Sequence, residues 1–395
     1  MNSVVRDLAL ACVTVATLAG CTTNKGRCCK MSECGKSKAS VTVSPFGKTK
    51  TGLEVKQFHL VGAGGVAMDV IDYGARVVRL WTPDRDGKLA DITLGFNQVS
   101  GYEDIDLYFG STIGRFGNRI RDGKFTLDGV TYTIPCNNDP GGIPCTLHGG
   151  TSGFNDRVWD SRTLTNGDDV GVEFTMTSPD GDQGYPGKLD VKVTYWLTAK
   201  NVWRLEYEAK TDKATPVNLT NHVYFNFHGE GNGTILDHEL TLFADYMTPV
   251  NAGLIPTGDL APVKGTPFDF TSPWKIGDRV NTKDNEQIKF GGGYDHNWVL
   301  RNQSGKLAAA AALYEKTSGR YMEVWTEEPG IQFYCGNFLT DSVPSKSGGH
   351  LTFRGGLALE TQHYPDSPNK SSFPSVILRP GQLYKTSTEY RFSTR

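Results

Sequence analysis

The 395-residue chain has no excess charge of either sign, with 41 basic side chains against 43 acidic ones. That balance excludes the basic stripe of a nucleic-acid binder. No run reaches the roughly 20 apolar residues that a membrane-spanning helix needs. There is no HExxH, no trusted paired-cysteine zinc spacing, no Walker loop and no GxSxG elbow. Neither a catalytic metal nor a nucleotide-phosphate loop nor a serine-hydrolase nucleophile is therefore expected. Long helical periodicities are missing as well. What is present is turn-rich and aromatic, with 46 glycines and 19 prolines, and such a composition favours an all-β protein.

Short alternating runs broken by turns fill the chain after about residue 46. VEFTMTS, LDVKVTYWLT and WRLEYEAK follow one another as the strands of an antiparallel meander. KFTLDGVTYTI predicts a hairpin turning at Asp128-Gly129, and ALYEKTSGRYMEVWT another turning between Thr317 and Arg320. With no internal repeat and no second linker, residues 46–395 read as one large single-domain β-sandwich, whose concave sheet face can hold a ligand.

The N-terminus reads as a targeting segment. Arg6 precedes an apolar run from Leu8 to Leu18, and Leu18-Ala19-Gly20-Cys21 resembles the lipobox of bacterial lipoproteins. By that resemblance residues 1–20 are a signal peptide and Cys21 is the lipidated first residue of an exported protein. A plain signal peptide, or an internal start with no export, is the alternative. Residues 21–45 are small and polar and read as a disordered tether carrying Cys28, Cys29 and Cys34. Cys136 and Cys145 bracket the turn-rich loop CNNDPGGIPC. In an oxidising compartment they can close a disulfide, and two free thiols are the equal alternative. Cys335 sits in a strand pattern as a small buried hydrophobe.

NLTNHVYFNFHGEG, from Asn218 to Gly231, reads as a strand with one ordinary face of Leu219, Val223, Phe225 and Phe227. The other face carries Asn218, Thr220, His222, Tyr224, Asn226 and His228, which packing does not explain. Similar polar density recurs in GRFGNRI with Asn118 and Arg119, in TLHGGTSGF with His148, and in GGYDHNW with Asp295. It recurs again in GIQFYCGNF with Gln332 and in GGLALETQHYPD with Glu360. Singly, each has a plainer explanation. The arginine can cap a turn, the histidine can be a satisfied core group, Asp295 can bind its own turn, and Glu360 can be half of an ion pair.

Together, GRFGNRI, TLHGG with GFNDRVW, NLTNHVYFN, GGYDHNWVL, PGIQFYCGNF, LALETQHYPDSPN and FPSVILRPGQLY occur in an order that resembles the aldose 1-epimerase, or galactose mutarotase, family. The resemblance covers roughly residues 46 to 395. It implies a β-supersandwich with an open cleft, a free aldohexose as substrate, and no cofactor or metal. It assigns Glu360 as catalytic base, His222 as general acid and His148 as an assisting group. Asn118, Arg119, Asp295 and Gln332 fall on sugar-binding positions, with Tyr224 beside them. The loop before His148 is longer than the family's usual one, so substrate preference can differ if it borders the site.

Anomer interconversion needs those types of group. A base takes the O1 proton, an acid protonates the ring oxygen as C1–O5 breaks, and the aldehyde rotates and recloses. If Glu360 and His222 lie close, each is expected to favour the charged form of the other. Tyr224 and Trp298 are candidates to stack on the sugar, although Trp298 suits the core better. The alternatives are an epimerase of hexose 6-phosphates, which needs further cations, a non-catalytic sugar-binding module, and a lyase or hydrolase on a similar sandwich. A monomer or weak dimer is expected, touching a membrane only through the lipid anchor.

Overall fold

Alternation dominates the architecture because nearly every long strand presents one apolar face. The computed structural model describes residues 38–105 and 107–395. The expected leader, Cys21, Cys28, Cys29 and Cys34 lie outside them. Three antiparallel sheets make up most of the chain. A five-stranded sheet runs in chain order from Ser40–Lys48 to Leu89–Asp91. A nine-stranded sheet begins with Asp160–Asn166, Asp169–Ser178, Leu189–Leu197 and Val202–Thr211, which is the predicted meander. A six-stranded sheet has Leu357–Gln362 and Gly330–Tyr334 near its middle. Both predicted hairpins form, pairing Lys124–Leu127 with Val130–Thr133 and Ala308–Tyr314 with Arg320–Thr326. Strand Ser40–Lys48 takes in residues expected in the tether. It is largely exposed, held by pairing with Glu54–Val61 and by Val41 and Phe46, which pack against the core.

The main core lies between the nine- and six-stranded sheets. Tyr390 of the former stacks on Trp203 at 4.7 Å, packs against Phe225 of the latter at 5.5 Å, and donates its hydroxyl to the Leu359 carbonyl. Ile331, Phe333, Leu357 and Leu359 join the same buried cluster. Each such side chain contributes roughly 1.5–3 kcal/mol by leaving water. Because side chains alternate, sinking these residues turns Gln332, Tyr334, Ala358, Glu360 and Gln362 to the opposite face. The described residues form one compact unit.

The polar segment around His222 is not one continuous strand. Thr220–Asn221 pairs with Thr112–Ile113, whereas Tyr224–Phe225 pairs with Leu357–Gln362 in another sheet. The Asn221 side chain breaks the ladder. It accepts from Val223 N and donates to the Gly110 carbonyl, an Asx-type turn. His222 sits at the break, its backbone held by Gly110 and Ser111.

Candidate active site

The floor of the site is the outward face of the six-stranded sheet. Gln332 lies directly across from Glu360, and Asn297 across from Gln332. Gln332 Nε2 donates to Asp295 Oδ1 at 2.7 Å, and Asp295 Oδ2 lies 3.8 Å from Arg119 Nη2. Arg119 Nε in turn donates to Asn138 Oδ1. Asn118 takes the left-handed conformation that asparagine tolerates, and its N–H donates to His148 Nδ1 while His148 N–H returns a bond to the Asn118 carbonyl. The glycine after His148 is obligatory. Gly149 has φ +97, and a Cβ there would lie 2.1 Å from the Gly114 carbonyl oxygen.

His222 completes the floor. Its Nε2 is 3.6 Å from Glu360 Oε1. Its ring stacks on Tyr224 at 4.9 Å, meets His148 edge-on at 5.2 Å, and faces Tyr108 at 5.9 Å. The resulting cleft, of about 290 Å³, is lined by Asn118, Arg119, His148, His222, Tyr224, Asp295 and Glu360. Of the residues singled out in the sequence, Gln332 does not line it and reaches it only through Asp295. Trp298 is fully buried among core aromatics. Tyr108, Asn137, Asn138, Tyr334 and Phe338 also line the cleft and were not singled out as site residues. Only the unusual loop before His148 hinted at Asn137 and Asn138. Within that loop Cys136 and Cys145 are free thiols, not a disulfide. A larger hollow of about 580 Å³, lined by Glu328, His363 and Tyr384 among others, contains none of the candidate residues, so chemistry rather than size picks out the smaller one.

Burial overrides the mutual charging expected of the central pair. It pushes Glu360 well above its usual carboxylate range, with Asp295 adding to the rise and Arg119 opposing it. Burial likewise drives His222 down to about 3. The uncomplexed pair therefore favours carboxylic acid and neutral imidazole, because two charges 3.6 Å apart do not recover what desolvation costs them. Asp295 is raised by burial against the pull of Arg119 and Gln332, and His148 is lowered by burial, then by His222 and Arg119.

Two clusters bring three metal-type ligands together, His148–His222–Glu360 and His228–Asp237–His238. Neither donor set fits an ion. His148 Nδ1 accepts from Asn118 N–H, so the proton of the neutral ring sits on Nε2, which is a donor and not a ligand. His238 Nε2 accepts from Phe227 N–H, which puts its proton on Nδ1 facing Asp237. The cleft residues can instead exchange one proton between carboxyl and imidazole, and read hydroxyls with amides, a carboxylate and one guanidinium. Among the described lining residues Arg119 is the only lysine or arginine.

Fold and cleft together define a class, an antiparallel supersandwich with a polar, hydroxyl-reading cleft on the outer face of one sheet. Residues 56–391 match the family described as aldose 1-epimerase, and the chain belongs to that family. The galactose mutarotase of Rattus norvegicus is 41% identical over 354 residues, 90% of this chain and 99% of that protein. The aldose 1-epimerase of Escherichia coli (strain K12) is 38% identical over 331 residues, 83% of this chain and 92% of the other. Among solved structures, galactose 1-epimerase from Lactobacillus acidophilus NCFM superposes with a TM-score of 0.78 at 28% identity, covering 90% of this chain and 99% of that one. The supersandwich expected from the sequence is the fold observed.

Proposed function

We infer that the protein is an aldose 1-epimerase that interconverts the α and β anomers of free aldohexoses, galactose and glucose first among them. The observation that carries this reading is the buried His222–Glu360 pair, 3.6 Å apart at the floor of a polar cleft. In the forward step Glu360 as carboxylate takes the O1 proton. The C1–O5 bond breaks as C1=O forms, and His222 as imidazolium gives its proton to O5. The open chain turns about C1–C2, and closure returns both protons by the reverse route.

Ring opening leaves Glu360 protonated and His222 neutral, the very distribution that burial favours. The ionised pair belongs to the ring-closed complex, where sugar hydroxyls donate to the carboxylate and offset its lost hydration. His148, a Nε2–H donor by its bond to Asn118, assists at the sugar. Asn118, Arg119 and Asp295 orient hydroxyls, Gln332 holds Asp295, and Tyr224 supports the His222 ring. A single guanidinium offers little for a phosphate, which disfavours hexose 6-phosphates.

We further propose export by a signal peptide of residues 1–20, lipid attachment at Cys21, a tether ending before the strand that starts at Ser40, and action as a monomer or weak dimer. Among the described residues no helix is long and apolar enough to cross a membrane. Membrane release of a Cys21→Ser variant tests the anchor. The activity is tested by polarimetry on fresh α-D-galactose, α-D-glucose and glucose 6-phosphate. Acceleration of the free sugars over the phosphate is expected, and no acceleration of any free aldose contradicts the assignment.

A further inference from the structure

Beside Glu360, on the same sheet face, lies a row of buried amides. Gln362 is fully buried, on the same sheet face as Glu360 and two residues beyond it, and both its amide atoms have no hydrogen-bond partner among the described residues. Asn297 is equally buried, and both its amide atoms are likewise unpartnered. So are Oε1 of Gln332 and Oε2 of Glu360. The strand register makes these residues neighbours. Glu360 faces Gln332, Gln332 faces Asn297, and Gln362 faces Gly330. Gly330 puts no side chain between them: a Cβ there would lie 2.6 Å from Asn297 Oδ1 and 2.9 Å from the Tyr364 ring, which covers the glycine. The Asn297 amide thus leans over Gly330 towards the strand that carries Gln362. None of Gln332, Asn297 or Gln362 lines the cleft.

So many dry amide atoms in one place would cost a sizeable part of the stability of a fold. An apolar side chain at each position would avoid that cost. A polar pocket whose walls supply several donors and acceptors is the setting in which buried water is retained. We propose that Gln362 and Asn297 are positioning residues that hold ordered water against Oε2 of Glu360 and thereby set the acidity of that carboxyl. Water anchored on the two amides donates a hydrogen bond to Oε2 and stabilises the carboxylate, the form the O1 proton transfer requires. Its influence opposes the burial and the Asp295 charge that raise Glu360. Oε1 meanwhile stays turned to His222 and the sugar. The inference rests on Glu360 being the base.

The test is the pH dependence of mutarotation by the intact protein, wild type against Gln362→Met and Asn297→Met. Each variant removes one amide at similar volume. The basic limb of kcat/KM, where the singly protonated free enzyme gives up the Glu360 proton, should move up by about one pH unit, an approximately tenfold loss on its acid side that is regained at higher pH. KM for galactose should change by less than about twofold, and Gln362→Asn should return the limb part of the way. A uniform loss at every pH, or an unmoved profile in both variants, overturns the inference. A crystal structure of the wild type decides it independently should either variant fail to fold. Water bridging Gln362 and Glu360 Oε2 supports it, and a dry row refutes it. Glu360→Gln separates the two levels. If that variant keeps its activity the base assignment fails, whereas if it is inactive and the limb stays put only the present inference fails.

Discussion

Acidification to about pH 5 should lower the stability of the fold, because several histidines are buried neutral. His296 is held at about 3, by burial first and Arg119 second. Burial also lowers His148 and His238 from 6.5. In the unfolded chain each takes up a proton as pH falls through about 6.5, and in the folded chain it does so only at lower pH, so stability declines across that window. His296 alone, at about 1.4 kcal/mol per pH unit, gives about 2 kcal/mol between about pH 6.5 and 5, and His148 and His238 add in the same direction. The His222–Glu360 pair cancels. Folded, it holds one proton as carboxylic acid, and unfolded it holds one as imidazolium. His363 has the opposite sign. Burial pulls it down, but Glu328 outweighs burial and raises it, so its contribution is complete below about 6.5 and adds no slope there. Against a typical stability of about 5–15 kcal/mol a loss of at least about 2 kcal/mol is readily measured. Urea unfolding at about pH 7 and about pH 5 measures it, with His296→Gln alongside. The variant should lose about 2 kcal/mol less than wild type on acidification. Equal stability at both pH values, or a variant as acid-sensitive as wild type, refutes the reasoning.

Arg119→Lys should raise KM for galactose about tenfold or more with a smaller change in kcat, since a lysine cannot serve Asp295 and Asn138 together; initial-rate polarimetry separates the two. Gly149→Ala forces a Cβ against the Gly114 carbonyl and should cost at least about 1–3 kcal/mol in a denaturant melt. Prolonged chelation should leave the mutarotation rate unchanged, because His148 presents a proton where a ligand would need a lone pair.

The meander and both hairpins were legible because alternation and turn residues act locally. The candidate site residues were legible only as ordered motifs resembling a family. Two features escaped for physical reasons. The segment around His222 alternates like one strand, but Asn221 bonds across its own turn and sends the two halves to different sheets, which no period reveals. The protonation of the central pair was read from pairing, whereas its sign is set by burial, a property of the whole fold. Tyr108 faces the rings of His148 and His222 from a left-handed backbone that tyrosine rarely adopts, so nothing in its sequence context marks it. Gln332 was placed on the right face, and its amide nitrogen is engaged by Asp295.

The most direct measurement is mutarotation of fresh α-D-galactose by Glu360→Gln beside wild type. The substitution preserves shape and removes the one carboxyl that faces His222 at the cleft floor. kcat should fall by about 10²–10⁴-fold with KM little changed. A variant that retains wild-type kcat would contradict proton transfer through Glu360 and, with it, the mechanism proposed for this cleft.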